Sequence, residues 1–147
     1  GLPVRIPVIE MIEIGAGGGS IARLDTLNRI TVGPDSTGSR PGPACYGHGG
    51  TEAAVTDADL ALGRLDPDGF ADGRMTLNVQ ASHDAIGEHV ATPLGLEPLD
   101  GALGISEVVD ENMANAARVH AVENGEDLSG YTMIAFGGAA PLHAARL

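Results

Sequence analysis

The side chains that could do chemistry concentrate in one loop, residues 41–50, which holds the single cysteine, one of two tyrosines and one of five histidines. Cys45 and His48 lie three residues apart in this loop. Both residue types ligate zinc, but a zinc site needs three or four ligands and two are visible here. A catalytic thiol would need a lowered pKa. The sequence favours a buried, structural cysteine under a rigid loop.

Two carboxylates, Asp57 and Asp59, follow this loop. A pair of carboxylates could hold Mg²⁺ through water, as in many phosphate-handling sites. In the alternative interpretation, Asp57 caps the next helix and Asp59 is solvated in the first turn of that helix. From the residues alone both interpretations stay open.

Two glycine-rich segments could bring backbone close to a ligand. The first glycine loop, residues 15–20, could be an anion nest, since successive N–H groups in such loops point inward. It is not a Walker A loop, because no Gly-Lys-Ser/Thr follows, and a tight crossover between strands is the alternative. The second glycine turn, residues 137–140, lies between a predicted strand and a predicted helix, where a helix N-terminus favours an anion.

Long stretches of the chain resemble the hydantoinase A / 5-oxoprolinase family. Residues 41–67, from Pro-Gly-Pro-Ala-Cys-Tyr-Gly to Leu-Gly-Arg-Leu-Asp-Pro, are similar to the central region of that family, without gaps. The departures are His48 (usually Arg), Ala53–Ala54 (usually Pro-Thr) and Asp59 (usually Asn). Residues 136–144 are similar to the family segment FGGAGPLHA, with Ala140 in place of a glycine. We therefore expect residues 1–147 to be a single central fragment of a larger subunit.

The resemblance implies part of an actin-like, ribonuclease H-like ATPase fold, in which the second glycine turn corresponds to the adenosine motif. From the possible anion nest and from this resemblance together, nucleotide binding is expected at six residues: Gly17, Gly18, Gly19 and Ser20 in the first glycine loop, and Gly137 and Gly138 in the second glycine turn. His143 matches the family pattern, and its role stays open between capping, packing and function.

Two acidic residues are the candidate catalytic residues on the same resemblance. Residues 9–15 follow the family variant that has glutamate at Glu13, and we hypothesise that this difference separates substrate subgroups. Asp57 falls on a matching family position, so Asp57 is both a candidate catalytic residue and the candidate metal ligand. Asp59 falls on a departure and is the weaker candidate.

The activity that the resemblance implies is ATP-dependent hydrolysis of cyclic amides such as 5-oxoproline, hydantoin or N-methylhydantoin. ATP and Mg²⁺ would be the cofactors, and a hydantoinase B-type subunit the partner. A subunit of an ATP-dependent acetone or acetophenone carboxylase is the alternative within the family. A non-catalytic binding module is the alternative of another class.

The elements that position these residues alternate between strand and helix, which predicts a mixed α/β (α+β) class. About residues 1–80 form a glycine-rich part, with a strand over 4–14, a hairpin of 21–25 with 29–32, mostly loop over 33–56, and a helix over 57–62. Residues 81–147 form a helical part, with helices over 82–90 and 106–124. A strand over 131–136 and a helix from about Pro141 complete the prediction.

Composition excludes several classes of partner. Lys and Arg total 8 against 20 Asp and Glu, and the net charge of −12 leaves no footprint for nucleic acid or anionic lipid. One cysteine cannot form an internal disulfide, which fits a reducing, cytoplasmic location. No apolar run approaches the roughly 20 residues that span a bilayer.

Overall fold

The computed structural model describes residues 11–147, which have a mixed α/β structure with a small sheet. Strands β1 (Ser20–Leu24) and β2 (Ile30–Ser36) pair antiparallel. Asp25 closes the turn between them, because its carboxylate accepts hydrogen bonds from the N–H groups of Leu27 and Arg29 at 2.8 and 2.9 Å. The predicted hairpin is therefore confirmed.

Helical segments make up most of the remaining regular structure of residues 11–147. They are α1 (Val55–Ala61), α2 (Phe70–Gly73), α3 (Val79–Ile86), α4 (Thr92–Leu94), α5 (Pro98–Glu123) and α6 (Ala140–His143). A π-helical stretch, Gly87–Ala91, joins α3 to α4, and short 3₁₀ turns occupy Ala44–Tyr46, Leu128–Gly130 and Ala144–Arg146.

The core lies where α1, α3 and α5 pack against the hairpin. With few aromatic residues available, it is built from small aliphatic side chains such as Val55, Ile86 and Ile105, which are fully buried. Gly101 lets α5 approach closely, since a Cβ there would lie 3.0 Å from side-chain atoms of Ala91 and Ile86. Helix α1 is buried from Val55 to Leu60, so it lies at the centre of the packing.

The two longer helices begin before their predicted first residues, and both end before their predicted last residues. Helix α5 begins at Pro98, because proline at the first helical position gives up an N–H that would have no partner there. It ends at Glu123, and Gly125 takes the left-handed φ of +68° expected after a helix. Helix α3 begins at Val79, after the Asn78 side chain accepts a hydrogen bond from the Ala81 N–H at 3.0 Å.

Two of the predicted strands are absent from the described part of the chain. Residues 131–136 form no strand, and Tyr131, Ile134 and Phe136 are exposed. The physical reason is that a strand needs a neighbour for its ladder, and the sheet of residues 11–147 ends with β2. Of the first predicted strand, residues 4–10 lie outside the described residues, and residues 11–14 form no strand.

Candidate functional site

A fully buried carboxylate, Asp57, joins three segments around the loop that the sequence singles out. Its Oδ1 accepts hydrogen bonds from the Cys45 N–H at 2.8 Å and the Ser82 hydroxyl at 3.0 Å. Its Oδ2 accepts from the N–H groups of Ala44 at 3.2 Å and Ala54 at 3.0 Å. A carboxylate has about four acceptor positions, so these donors satisfy Asp57.

Asp57 lies at the third position of α1 and not at its cap, which is Ala54. Two residues along a helix are about 200° apart, so Asp57 and Asp59 point in different directions and contact different partners. Among residues 11–147, no group of three or more His, Cys, Asp and Glu side chains is placed to hold a metal ion. The roles of Asp57 as a metal ligand and as a catalytic residue both stay predictions.

Cys45 is fully buried and free. Burial first, and then the neighbouring Asp57 carboxylate, raise the pKa of the Cys45 thiol far above its ordinary value. A thiol in this state is a poor nucleophile at neutral pH. The structure agrees with the structural interpretation of this residue.

The first glycine loop is held by the side chains of two residues, Ser20 and Thr56. The Ser20 hydroxyl accepts from the Gly17 N–H at 2.9 Å and donates to the Gly15 carbonyl at 3.1 Å. The Thr56 hydroxyl and N–H both donate to the Gly18 carbonyl at 2.8 Å. A Cβ on Gly18 would lie 2.7 Å from the Thr56 hydroxyl oxygen, so this approach requires glycine.

Both glycine segments border one open cavity of about 240 Å³, which we call the glycine-loop cavity. Of the six predicted nucleotide-binding residues, it brings together Gly18, Gly19 and Gly138, and its lining leaves out Gly17, Ser20 and Gly137. Glu13 is exposed and outside the lining. The remaining lining residues are Gly38, Pro43, Tyr46, Thr56, Asp59, Leu65, Phe70, Ala139 and Leu142.

An aromatic pair forms part of the cavity wall. The rings of Tyr46 and Phe70 lie 5.5 Å apart at 46°, and His48 meets the edge of Tyr46 at 6.4 Å. The rare residues of loop 41–50 therefore have different surroundings: Tyr46 faces the cavity, while Cys45 packs behind it.

A buried ionic network lies behind the cavity. Nδ1 of His143 is 2.6 Å from Oδ1 of Asp110, and Nε2 is 3.3 Å from Oδ2 of Asp59, a distance for an ion pair without hydrogen-bond alignment. Arg64 holds the other oxygen of Asp59 at 3.0 Å. Arg146 lies 3.7 Å from Asp110 at the outer end.

The carboxylates of Asp59 and Asp110 raise the pKa of His143, although burial opposes the rise. The folded-state pKa therefore lies above the ordinary value of 6.5. The stabilisation from this network is complete below pH 6.5 and declines as the pH rises through the folded-state pKa of His143.

The expectation that Asp59 is solvated is wrong, since Asp59 is 1% exposed between Arg64 and His143. Sequence analysis also missed Phe70 and Leu142 as cavity residues. Their positions depend on how distant segments fold together. Phe70 lies in no motif, whereas Leu142 lies within the family segment 136–144, next to His143.

Comparison with known proteins decides the family. The hydantoinase/oxoprolinase profile matches residues 1–147. The chain belongs to the hydantoinase/oxoprolinase family. This confirms the resemblance noted in the sequence.

Relatives of this hydantoinase/oxoprolinase chain are subunits of larger enzymes. It is 46% identical over 145 residues to the acetophenone carboxylase gamma subunit of Aromatoleum aromaticum, covering 98% of this chain and 20% of that protein. It is 44% identical over 144 residues to the caprolactamase subunit alpha of Pseudomonas jessenii, covering 98% and 21%. The crystal structure of the ATP-dependent caprolactamase from that organism matches with a TM-score of 0.87 at 45% identity, over 96% of this chain and 20% of that one. The chain thus spans about a fifth of the length of these relatives.

Replacing Asp57 by asparagine tests its structural role. Whichever way the amide is turned, its NH₂ group faces at least one backbone N–H, and a buried donor without a partner costs about 1–3 kcal/mol. We expect Asp57→Asn to lower the apparent Tm of the full-length protein, by less than the roughly 2–4 °C per kcal/mol of a 150–250-residue domain because that protein is larger. Asp68→Asn, at an exposed position, should change it little. A variant with unchanged Tm and abolished activity would instead assign Asp57 to catalysis.

Cys45→Ser should keep at least about a tenth of the activity of the full-length enzyme, because a protonated, buried thiol has a structural role. Alkylation of Cys45 should be slow in the native protein and complete after unfolding. A loss of activity by more than about 10³-fold, the scale of removing a key catalytic group, would contradict this interpretation.

Proposed function

We propose that this chain is the nucleoside-binding part of a subunit that couples ATP hydrolysis to the opening of cyclic amides. The observation that carries the proposal is the glycine-loop cavity, because two glycine segments far apart in sequence meet there. The substrate would be a compound of the 5-oxoproline, hydantoin or N-methylhydantoin type.

The chemistry of the cavity suits the nucleoside end of ATP better than its phosphates. Its lining within the described residues includes no Lys or Arg, and the one charged residue, Asp59, is acidic. Glycine backbone allows a planar group to approach closely. The Tyr46 and Phe70 rings offer stacking surface, which for a base on an aromatic ring contributes about 1–3 kcal/mol. The phosphates would extend away from this cavity.

Among the relatives, the caprolactamase from Pseudomonas jessenii is described as ATP-dependent, and a caprolactam is a cyclic amide. We extend the same dependence to this chain, together with a hydantoinase B-type partner subunit, an actin-like fold for the whole ATPase and a cytoplasmic location. Mg²⁺ would accompany ATP; within residues 11–147, no three His, Cys, Asp or Glu side chains are grouped to hold it.

The proposed reaction needs ATP to activate an unreactive bond. ATP supplies a phosphoryl group that turns a lactam or imide oxygen into a leaving group. The contribution of this chain is to hold the nucleoside in a fixed position. Binding then brings the phosphoryl group and the substrate close together in the correct orientation. That role agrees with a cavity made of rigid backbone and rings rather than of nucleophiles.

A ketone carboxylase subunit is the second candidate. The 46% identity to the acetophenone carboxylase gamma subunit favours it as much as the 44% identity to caprolactamase subunit alpha favours a lactamase. Glu13, which we propose as a residue that separates substrate subgroups, is exposed and free to contact a partner or substrate.

Phosphate release from ATP by the full-length protein with its neighbouring subunit tests both candidates. One arm contains a panel of cyclic amides, and the other contains ketones with bicarbonate. We expect stimulation by a cyclic amide. Stimulation by ketone and bicarbonate alone would assign the chain to a carboxylase, and no stimulation in either arm would favour a non-catalytic binding module.

Gly138→Val tests the position of the nucleoside. A Cβ on Gly138 would meet no atom within 4 Å, so the valine fits the protein and occupies cavity space instead. The valine side chain would then compete with ATP for this space. Since overpacking a filled site costs about 1–3 kcal/mol, we expect the ATP affinity measured by calorimetry to fall about tenfold.

The matched control is Gly130→Val, at an exposed glycine where a Cβ also meets no atom within 4 Å. It should leave ATP affinity unchanged. Equal affinity in both variants would remove Gly138 from the nucleotide site.

A further inference from the structure

The second glycine turn is connected to the rest of the structure through one buried side chain. Of residues 122–147, His143 alone is buried, with 0% exposure. The apolar side chains earlier in the same segment, including Met133 and Phe136, are exposed and contribute no buried contact within the described residues. His143 is therefore the main attachment of this segment to α1 and α5.

The attachment is ionic and reaches both helices. Asp59 belongs to α1 and Asp110 to α5, and the imidazole of His143 lies between their carboxylates. Within residues 11–147, the charged side chains besides His143 that contact these two carboxylates are those of Arg64 and Arg146. Ser106, one turn before Asp110 on α5, lies 3.5 Å from its second oxygen.

The same segment forms one side of the glycine-loop cavity. Gly138, Ala139 and Leu142 line it, all within five residues of His143. A Cβ on Gly18 would lie 3.7 Å from that of Ala139, so the two glycine segments face each other closely. Loss of the His143 attachment would open the cavity on this side.

We propose that His143 is the positioning residue of the cavity: the Asp59–His143–Asp110 network holds the second glycine turn against the first glycine loop. His143 touches no ligand in this proposal and acts through Gly138, Ala139 and Leu142. The identity of the ligand as ATP rests on the proposed function, whereas the attachment of the turn does not.

The test uses the full-length protein with His143→Leu, which removes both polar contacts, and His143→Gln, which keeps a side-chain donor. Hydrogen exchange of residues 136–147 is measured without ligand, and KM and kcat for ATP are measured with the partner subunit present. His83→Leu, at a half-buried histidine outside the cavity lining, is the matched control.

We expect His143→Leu to speed exchange in residues 136–147 and to raise the KM for ATP about tenfold, with kcat within about threefold. When the second glycine turn lines the cavity for only about a tenth of the time, the apparent affinity for ATP falls about tenfold. His143→Gln should recover part of the affinity, and His83→Leu should behave as the wild type. If His143→Leu does not fold, Asp110→Asn replaces it, with a smaller change in the same direction expected.

Unchanged exchange and unchanged KM in His143→Leu would overturn the proposal. A fall in kcat at constant KM would also overturn it, because His143 would then act in the chemistry. Faster exchange in a protein whose wild type neither binds nor hydrolyses ATP would reject the proposed function and support the attachment through His143.

Discussion

The hydrogen bonding of one buried carboxylate, Asp57, underlies the rest of this structure. An isolated charge would not remain in an apolar core, and this one is stable there because backbone and side-chain donors surround it. Those donors belong to loop 41–50, to the N-cap of α1 and to α3. Asp57 therefore determines where loop 41–50 runs, and with it the position of Tyr46 on the cavity wall.

Helix α1 also positions groups on the cavity side of the structure. Its Thr56 holds the first glycine loop through the Gly18 carbonyl, and its Asp59 faces His143. This short helix therefore positions three parts of the cavity, each through a different kind of contact: a buried structural carboxylate, a hydroxyl bound to a backbone carbonyl, and an ion pair. The cavity lining itself is nearly free of charge. The nucleoside that we propose to bind there would therefore be separated from the acidic surface of the protein.

Local signals predicted the features that depend on local physics. The predicted hairpin forms around residues 26–28, α5 ends within one residue of its predicted end, and both glycine segments that meet at the cavity were predicted to approach a ligand. Features set by tertiary context were missed. The burial of Asp59 depends on Arg64 and His143 arriving from elsewhere, and the predicted strand over 131–136 lacks a neighbour in the described residues. The family motif singled out Asp57, and its four hydrogen bonds support a structural role, while its roles as metal ligand and catalytic residue stay predictions.

The burial of α1 on every side has a consequence for how the gene can vary in length. Inserting or deleting one residue within Val55–Leu60 would turn everything beyond that point by about 100°. Thr56, Asp57 and Asp59 could not then all keep their partners, whichever end of the helix absorbed the change. The exposed turns at Asp25–Arg29 and Asp66–Gly69 carry no such restriction, since their backbone can be lengthened into solvent. Insertions and deletions should therefore accumulate in those turns and be absent from α1, because the register of this helix sets the geometry of the cavity.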